Sequence, residues 1–464
     1  MAYLAYICKL KNIRAHPNGD FIKIAEACND TVIVELDASA EDLYVYFPPD
    51  GRLSQDFCDA NNLIGYTDPK TGKKKGGFFG TNRKVRVQKF RGEKSYGFAT
   101  EISSLGKMCQ YLQKNNKINS LKSPFIADLE QAILNLKEGD SFTELAEVPI
   151  CEKFVTKATR EARNGKNKQK KNIRFPEHFD TKQFRYELNK IPDNSLIYLN
   201  VKVHGTSARY GHVQEEVPIP LPWWKRASNY LHLTKFKPET KFEWIYQAGT
   251  RRVELNPDKR DDYYGKEEYR FSFMKNVWHL LRKGEVIYLE LCGYTDTNKL
   301  IMPAHNTDKL DKELRKKYGK QMIYKYDCPE GTCKPFVYRV TQVNEDGVQF
   351  DLPWPQVKHR AAQLGLETVI QLEGPLFVTT AENQKCAYTS DGLLINLQEM
   401  VENETEGSDP LDESHIREGV VVRIEHGSGV YFLKQKSFNF LLMESRQKDN
   451  NTILDTEEAE DNEA

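Results

Sequence analysis

Nowhere in its 464 residues does this sequence hold an apolar run approaching the ~18 residues of a membrane-crossing helix, so no helical span is expected. The features of a signal peptide are missing too. The opening M-A-Y-L-A-Y-I-C-K-L has no basic leading segment and no long apolar core, and it reads as a first β-strand. The cysteines, nine in all, are odd in number and spread without a framework. That excludes a disulfide-held secreted scaffold and points to a reduced, intracellular protein of cytoplasm or nucleus. Cys328 and Cys333 form one C-x4-C pair, but a zinc site needs two more ligands nearby, and His305 and His359 are only distant candidates. Net charge is absent as well, since 67 basic residues balance 67 acidic ones. This excludes capture of a polyanion by bulk charge but not by local patches. There is no internal repeat.

Charge is present in clusters. Lys70 to Lys75 contains four lysines, Lys157 to Arg174 is dense in Lys and Arg, and Arg251-Arg252 and Arg315 to Lys325 add more. Acids gather in Glu399 to Glu418 and in the tail Asp455 to Glu463, which is expected to be disordered. Any one of these clusters alone reads as a solvated face.

The length suits about two to four domains. The first hundred residues read as strands (Tyr3 to Leu10, Phe21 to Ala27, Thr31 to Leu36, Asp42 to Phe47, Arg83 to Phe90) between turns such as Pro17-Asn18-Gly19-Asp20. Five short strands suit a small closed barrel of the OB type. Ser123 to Leu136 has helical spacing, with Ser123 at the N-cap and Pro124 first in the helix. Lys157 to Lys171 has the composition of a linker. The expected division is 1–140 for the barrel and its trailing helix, 141–180 for a basic linker, 181–445 for a catalytic domain and 446–464 for an acidic tail. The fold class is α+β, with antiparallel sheets and flanking helices in the catalytic part.

Within that part, Ser195 to Lys202 is a strand that delivers a lysine to a glycine turn, K-V-H-G-T-S. Glycine permits close backbone approach there. A lysine amine becomes nucleophilic when burial and neighbouring positive charge favour its neutral form. Glu290 ends the apolar run G-E-V-I-Y-L-E-L-C, and Glu418 opens E-G-V-V-V-R. A carboxylate so placed needs a specific partner, such as a hydroxyl, a metal ion or a basic group. Lys434 and Lys436 alternate on a strand and so share one face, where two ammonium groups ask for an anion between them. Phe336 and Tyr338 share a strand face in the same way, and one of them could stack on a purine. Each pattern alone also fits ordinary surface or core packing.

In chain order these runs are K-V-H-G-T-S, R-R, Y-L-E-L-C-G, F-V-Y-R-V, E-G-V-V-V-R and L-K-Q-K-S. The ordered set resembles the motifs of the covalent nucleotidyltransferases, which comprise ATP-dependent DNA and RNA ligases and capping enzymes, over roughly residues 185 to 440. His204, where DNA ligases and capping enzymes usually have Asp, looks like an RNA ligase. His16-Pro17-Asn18-Gly19-Asp20 and Val85 to Gly97 are similar to tRNA-binding OB domains. Only 28 residues follow Lys436 (464 minus 436), too few for a trailing OB barrel. The arrangement therefore resembles the Deinococcus-type RNA ligases, whose OB domain comes first.

The resemblance implies a nucleotidyltransferase domain of the ligase type, which uses ATP and Mg²⁺ or Mn²⁺ to join 3′-OH and 5′-phosphate RNA ends through lysyl-AMP and adenylylated RNA. It implies Lys202 as nucleophile, with His204 and Gly205 in the nucleotide pocket. Arg251 or Arg252, Arg251 preferred, would contact sugar or an RNA phosphate. Glu290 would bind ribose, Tyr338 or else Phe336 would stack on adenine, and Lys434 and Lys436 would hold phosphates. Glu418, with Glu290, would hold the metal. Arg339-Val340 stands where the family's aromatic motif commonly has an acid and an aliphatic residue. Basic residues Lys84, Arg86, Lys89 and Arg91, with Arg252, are expected to grip RNA at nicks or broken ends. The chain is expected to act as a monomer away from membranes. A DNA ligase, a capping-type enzyme and an RNA-binding protein with a non-ligating catalytic half remain the alternatives.

Overall fold

The computed structural model describes residues 3–68, 71, 72, 74–115, 126–163, 172–231, 235–255 and 269–449. Ser123, Pro124, residues 164–171 of the expected linker and the acidic tail lie outside these residues. Among the described residues no helix is long and apolar enough to cross a membrane.

The N-terminal part holds a four-stranded antiparallel sheet in the order Phe98–Glu101, Leu43–Phe47, Ala5–Lys9, Ser141–Phe142. A three-stranded sheet of Lys11–His16, Gly19–Ala27 and Asp30–Glu35 accompanies it, with several two-stranded pairs. Leu43–Phe47 is apolar on both faces because it separates two cores. Val45 and Phe47 pack with Ile7, Phe57 and the buried face of helix Ser103–Lys114, whereas Tyr44 and Tyr46 pack with Ala25, Ala27 and Val32. Four of the five expected strands are found within a few residues of their expected ends. The fifth is not. Of Arg83 to Phe90 only Gln88–Phe90 is a strand. Val85 and Val87 are buried as their alternation suggested, but Lys84 between them is buried as well. A charged side chain that faced protein instead of water made the period-two pattern misleading. Helix Ile126–Leu134 occupies the described part of the expected helix, and Lys157–Arg163, read as linker, is helical.

Two large sheets form the rest. The first runs Lys182–Gln183, Gly429–Lys436, Gly419–His426, Leu196–Val201, Gln371–Ala381, Gln384–Tyr388, Leu394–Asn396. The second runs Glu254–Leu255, Thr240–Thr250, Thr206–Pro218, Glu285–Gly293, Cys333–Val343, Gln349–Asp351, with Glu367–Thr368 paired beside Cys333–Val343. Leu196–Val201 is central and buried on both faces. Ile197 and Leu199 face one core with Leu376 and Val422, while Tyr198 faces the main core, as a period of two requires. Four residues, Lys202 to Gly205, then cross from the first sheet to the second. The lysine motif is thus the hinge point of the two-sheet architecture.

Helix Phe438–Asp449 closes the chain's described part and passes through the boundary expected at 445. It is wedged between the two halves. Phe440 and Met443 join the catalytic core, whereas Phe438 and Leu442 pack with Val87 and Tyr96 of the N-terminal half. Lys84 Nζ donates to the Ser445 carbonyl at 3.0 Å, Arg86 Nε donates to Asp449 at 3.0 Å, and Lys448 pairs with Asp50 at 3.3 Å. A second seam joins Asp30 to Arg185 at 2.5 Å and to Tyr186 at 2.5 Å.

Candidate active site

Lys202 leaves its strand with its backbone N–H bonded to the Gly419 carbonyl at 3.0 Å, so the side chain starts from a fixed point. Its Nζ lies 2.9 Å from Glu418 Oε1. Gly205 is closely packed: a Cβ there would meet the Leu291 carbonyl oxygen at 2.4 Å, Cys292 Sγ at 2.7 Å and Cγ of the cavity residue Glu290 at 2.9 Å. The glycine lets the crossing segment dock on strand Glu285–Gly293 beside the cavity. Gly205→Ala must push two paired strands apart. It is expected to lower stability by about 1–3 kcal/mol, read as a lower urea midpoint.

Glu418 is the hub of the site. It is 2% exposed and receives Lys202 at 2.9 Å, Lys436 at 3.3 Å and His204 Nδ1 at 3.2 Å. Burial alone would raise its pKa, but Lys202, Lys436 and His204 outweigh that and hold it well below the usual carboxylate range. Burial likewise opposes the charge of Lys436, yet Glu444 and Glu418 hold its pKa above the ordinary lysine value. Glu444, from the C-terminal helix, receives Lys436 Nζ on both oxygens at 2.9 and 3.0 Å. His204 does not line the cavity, contrary to expectation. It sits beneath Glu418, with Nε2 3.1 Å from His305 Nε2 and its backbone N–H bonded to Tyr326 Oη at 2.7 Å. Rings of Tyr324 and Phe440 pack on it at 4.7 and 4.9 Å. Burial, then His204, pushes His305 down to about 3, so the pair does not carry two charges at neutral pH.

The cavity lies between the sheets and is lined by Lys202, Lys434, Arg251, Glu290 and Tyr338, which the sequence had singled out, and by His178, Ser207 and Phe432, which it had not. The choice between the two aromatics follows from a β-bulge. Tyr288 pairs with Arg339 but Leu289 pairs with Val337, so Tyr338 is the extra residue. The bulge breaks the alternation, and Phe336 and Tyr338 do not share a face. Phe336 is buried in the core beside Tyr326, whereas Tyr338 meets Ser207 Oγ at 3.1 Å on the cavity wall. Arg339, the departure from the family pattern, is buried and forks onto Asp351 at 2.5 and 2.9 Å. It also lies 3.3 Å from His178 Nδ1. Burial and the Arg339 guanidinium keep His178 well below the ordinary histidine value, which makes it a neutral aromatic wall. Phe432 precedes Lys434 by two positions on one strand, and this spacing was the signal that could have found it.

Lys436 opens onto a second, larger cleft that shares Thr181, Arg251 and Lys434 with the cavity and runs between the two halves of the molecule. Arg251 and Arg252 both reach Asp180, at 2.8 and 2.7 Å, and both line this cleft. The expected basic face of the N-terminal half is not an open one. Lys84 is 1% exposed, Arg86 is tied to Asp449, Lys89 Nζ pairs with Asp311 at 2.6 Å, and Arg91 donates to the Asn18 carbonyl at 2.6 Å. The charges that looked free in sequence are taken up at contacts with the catalytic half, Arg91 excepted. Metal donors are few: among the described residues no three His, Cys, Asp or Glu side chains converge as a metal group.

The family model for RNA ligase matches residues 196–441, more than half of the chain, and spans every element that lines the cavity except the His178–Thr181 stretch. This chain belongs to the RNA ligase family. The fold of the whole ligase, and not of the catalytic part alone, is shared with solved structures of the Naegleria gruberi RNA ligase. A lysine-to-alanine variant of that protein, with ATP and Mn, aligns with a TM-score of 0.53 at 13% identity over 96% of this chain and 99% of that one. A glutamate-to-alanine variant with AMP and Mn gives 0.52 at 13% identity over 96% and 99%. No curated protein matches the sequence.

Proposed function

We propose that this ligase joins RNA 3′-OH and 5′-phosphate ends at the expense of ATP, as a Deinococcus-type enzyme whose first 140 or so residues serve as an OB-type RNA-binding module. The observation that carries the reading is the position of Lys202: at the crossing between two sheets, on the wall of a cavity, 2.9 Å from a buried glutamate. The Lys202 amine, having given its ammonium proton to water, attacks the α-phosphorus of ATP, forming a P–N bond as the bond to pyrophosphate breaks, and the second proton lost from nitrogen leaves with pyrophosphate. AMP then passes to an RNA 5′-phosphate, and a 3′-hydroxyl attacks that phosphate and expels AMP. Glu418 is a poor proton acceptor, since its pKa is held low, so its role is to aim the amine. Tyr338, Phe432 and His178 offer aromatic faces for adenine, and Glu290 offers an acceptor for ribose. Lys434 and Lys436 face the phosphates.

A divalent ion fits this chemistry. Mg²⁺ and Mn²⁺ of this kind are held by one or two carboxylates together with substrate phosphates, not by a full protein cage. Glu290, on the cavity wall, would supply one carboxylate, and Glu418 would join it by exchanging a bond to Lys202 or Lys436 for the ion. Bound there, the ion would neutralise charge on the phosphates. That the Naegleria gruberi variants carry ATP or AMP with Mn supports the choice of nucleotide and metal.

The test compares ATP with GTP in self-labelling, then offers the labelled protein nicked duplexes with an RNA or DNA 3′-OH strand. Label from ATP, chased into sealed product on RNA ends, is expected. Uptake from GTP alone would indicate a capping-type enzyme, and RNA binding with no label under either metal would indicate a non-ligating protein.

A further inference from the structure

Strands Thr206–Pro218 and Thr240–Thr250 pair continuously from Ala208 opposite Thr250 to Pro218 opposite Thr240. Their base is buried in the second sheet, and their outer ends are not; the ribbon leaves the body of the protein. Helix Trp223–Tyr230 sits at its end and buries none of its residues. Trp223 is 76% exposed, Trp224 50%, Tyr230 83% and Leu231 62%. Large aromatic side chains seldom stand in water without a partner, and a cluster of them marks an interaction surface.

This cluster is built, not frayed. Asn229 exchanges two hydrogen bonds with the Phe236 backbone at 2.8 and 2.7 Å, which ties Phe236 to the helix. Trp224 meets Phe236 edge-on at 5.7 Å, and Lys225 Nζ lies over both rings at 5.3 and 5.5 Å. Residues 219–238 contain Lys225, Arg226, Lys235 and Lys237 and no Asp or Glu, whereas the ribbon beneath carries Glu215, Glu216, Glu239 and Glu243, so the basic surface is that of the helix and tip. Aromatic faces interleaved with cations, with no acid among them, are the surface on which nucleic-acid bases stack and phosphates rest. The ribbon is also continuous with the reaction site, since strand Thr240–Thr250 runs directly into Arg251 and Arg252 on the cleft wall.

We propose that this ribbon and helix form an arm that holds the substrate RNA away from the break. The proposal rests on the ligase reading and adds a second contact to it. Ten residue steps from Ala208 to Pro218 place the tip about 33 Å along the strand from the cavity end. Paired RNA is A-form, with a rise of ~2.8 Å per base pair, so that distance corresponds to about twelve base pairs. RNA shorter than this on the relevant side of the nick does not reach the arm.

The experiment uses the full-length protein and nicked RNA duplexes of about six base pairs a side, continued on one flank at a time by an unpaired tail of up to about twelve nucleotides, whose bases are free to stack. For the wild type, KM is expected to fall about tenfold once the paired and unpaired residues of one flank together pass about twelve, the gain of one stacked base. Trp223→Ala with Trp224→Ala is expected to remove that gain, leaving KM on short duplexes and the rate of lysyl-AMP formation as in wild type. Lys225→Glu with Arg226→Glu is expected to do the same and to reduce the salt dependence of binding. A wild-type KM indifferent to flank length on either side overturns the arm. So does a tryptophan double variant that binds tailed duplexes as wild type does but loses affinity for vesicles of anionic phospholipid, which would make the helix a membrane contact. Failure of the wild type to form lysyl-AMP would count against the ligase reading instead, and equilibrium binding of the same RNAs to the wild type and the tryptophan variant would then decide the arm.

Discussion

Self-labelling by ATP carrying a radioactive α-phosphate is expected to vanish when Lys202 becomes alanine, a loss on the order of 10⁴-fold or more, as for removal of other enzymic nucleophiles. Arginine at the same position should abolish it as well. A guanidinium stays protonated and offers no lone pair, yet it can keep the ion pair with Glu418 that Lys202 makes at 2.9 Å. Comparing the two variants therefore separates the nucleophile from the charge. Both should fold, because the strand before Lys202 and its bond to Gly419 are untouched. Chemistry downstream of the lysine gives a second readout. RNA that already carries a 5′-adenylate needs no amine, so Lys202→Ala should still seal it, at a rate within about tenfold of wild type. Label on the arginine variant above about 1% of wild type would assign the attack to another residue. Loss of sealing on adenylylated RNA would make Lys202 structural.

Sequence reading found the parts of the site that follow from strand periodicity and missed those that follow from its interruptions. Lys202, Glu290, Lys434 and Arg251 stand on the cavity wall because each lies on or just after a regular strand, whose faces can be counted. Phe336 and Tyr338 could not be told apart by the same count, since the bulge at Tyr338 has no signature in the residues around it. His178 and Phe432 read as ordinary packing. Lys84 and Arg86 misled for a more general reason. A basic residue in an alternating strand looks solvent-facing whether its partner is water or another half of the chain, and that partner, Ser445 and Asp449, lies more than 360 residues away. The catalytic motifs were legible because their chemistry limits residue type. The packing of one half on the other was not, because it is made by pairs whose members look unremarkable one at a time.

His204 shows how the two kinds of information meet. Its identity pointed to an RNA ligase, and the family model agrees. Its place was read wrongly, as part of the nucleotide pocket. It lies one layer below, against Glu418 and His305, where the imidazole can hold a carboxylate oxygen without taking up the cavity. Lys202 is thus held by a stack of groups: Lys202 on Glu418, Glu418 on His204 and Lys436, and Lys436 on Glu444.

Glu444→Gln is expected to lower stability by about 1–2 kcal/mol near pH 7, less than for a fully buried pair, because the Lys436 and Glu444 side chains are 18% and 16% exposed and Glu418 stays 3.3 Å from the lysine left behind. The effect has a defined pH window. Burial disfavours the Glu444 carboxylate, but Lys436 and Lys448 outweigh it and hold its pKa well below the usual range. A depressed carboxylate contributes stability above its unfolded value of ~4.3 and loses it as pH falls through the folded one. Lys436, raised in the fold, contributes below its unfolded value of ~10.4 and loses that contribution as pH rises past the folded one. The difference between wild type and variant should therefore be flat from about pH 5 to 9 and shrink on both sides, read from urea midpoints across that range. Lys448 extends the network to Asp50 at 3.3 Å, so Asp50→Asn should produce a smaller loss in the same window. Glu444 would then join the seating of the N-terminal half to the charge of Lys436, and through Glu418 to the aim of Lys202. A Glu444→Gln midpoint equal to wild type at pH 7, with kcat for sealing unchanged, would reduce that chain of ion pairs to surface contacts of little worth.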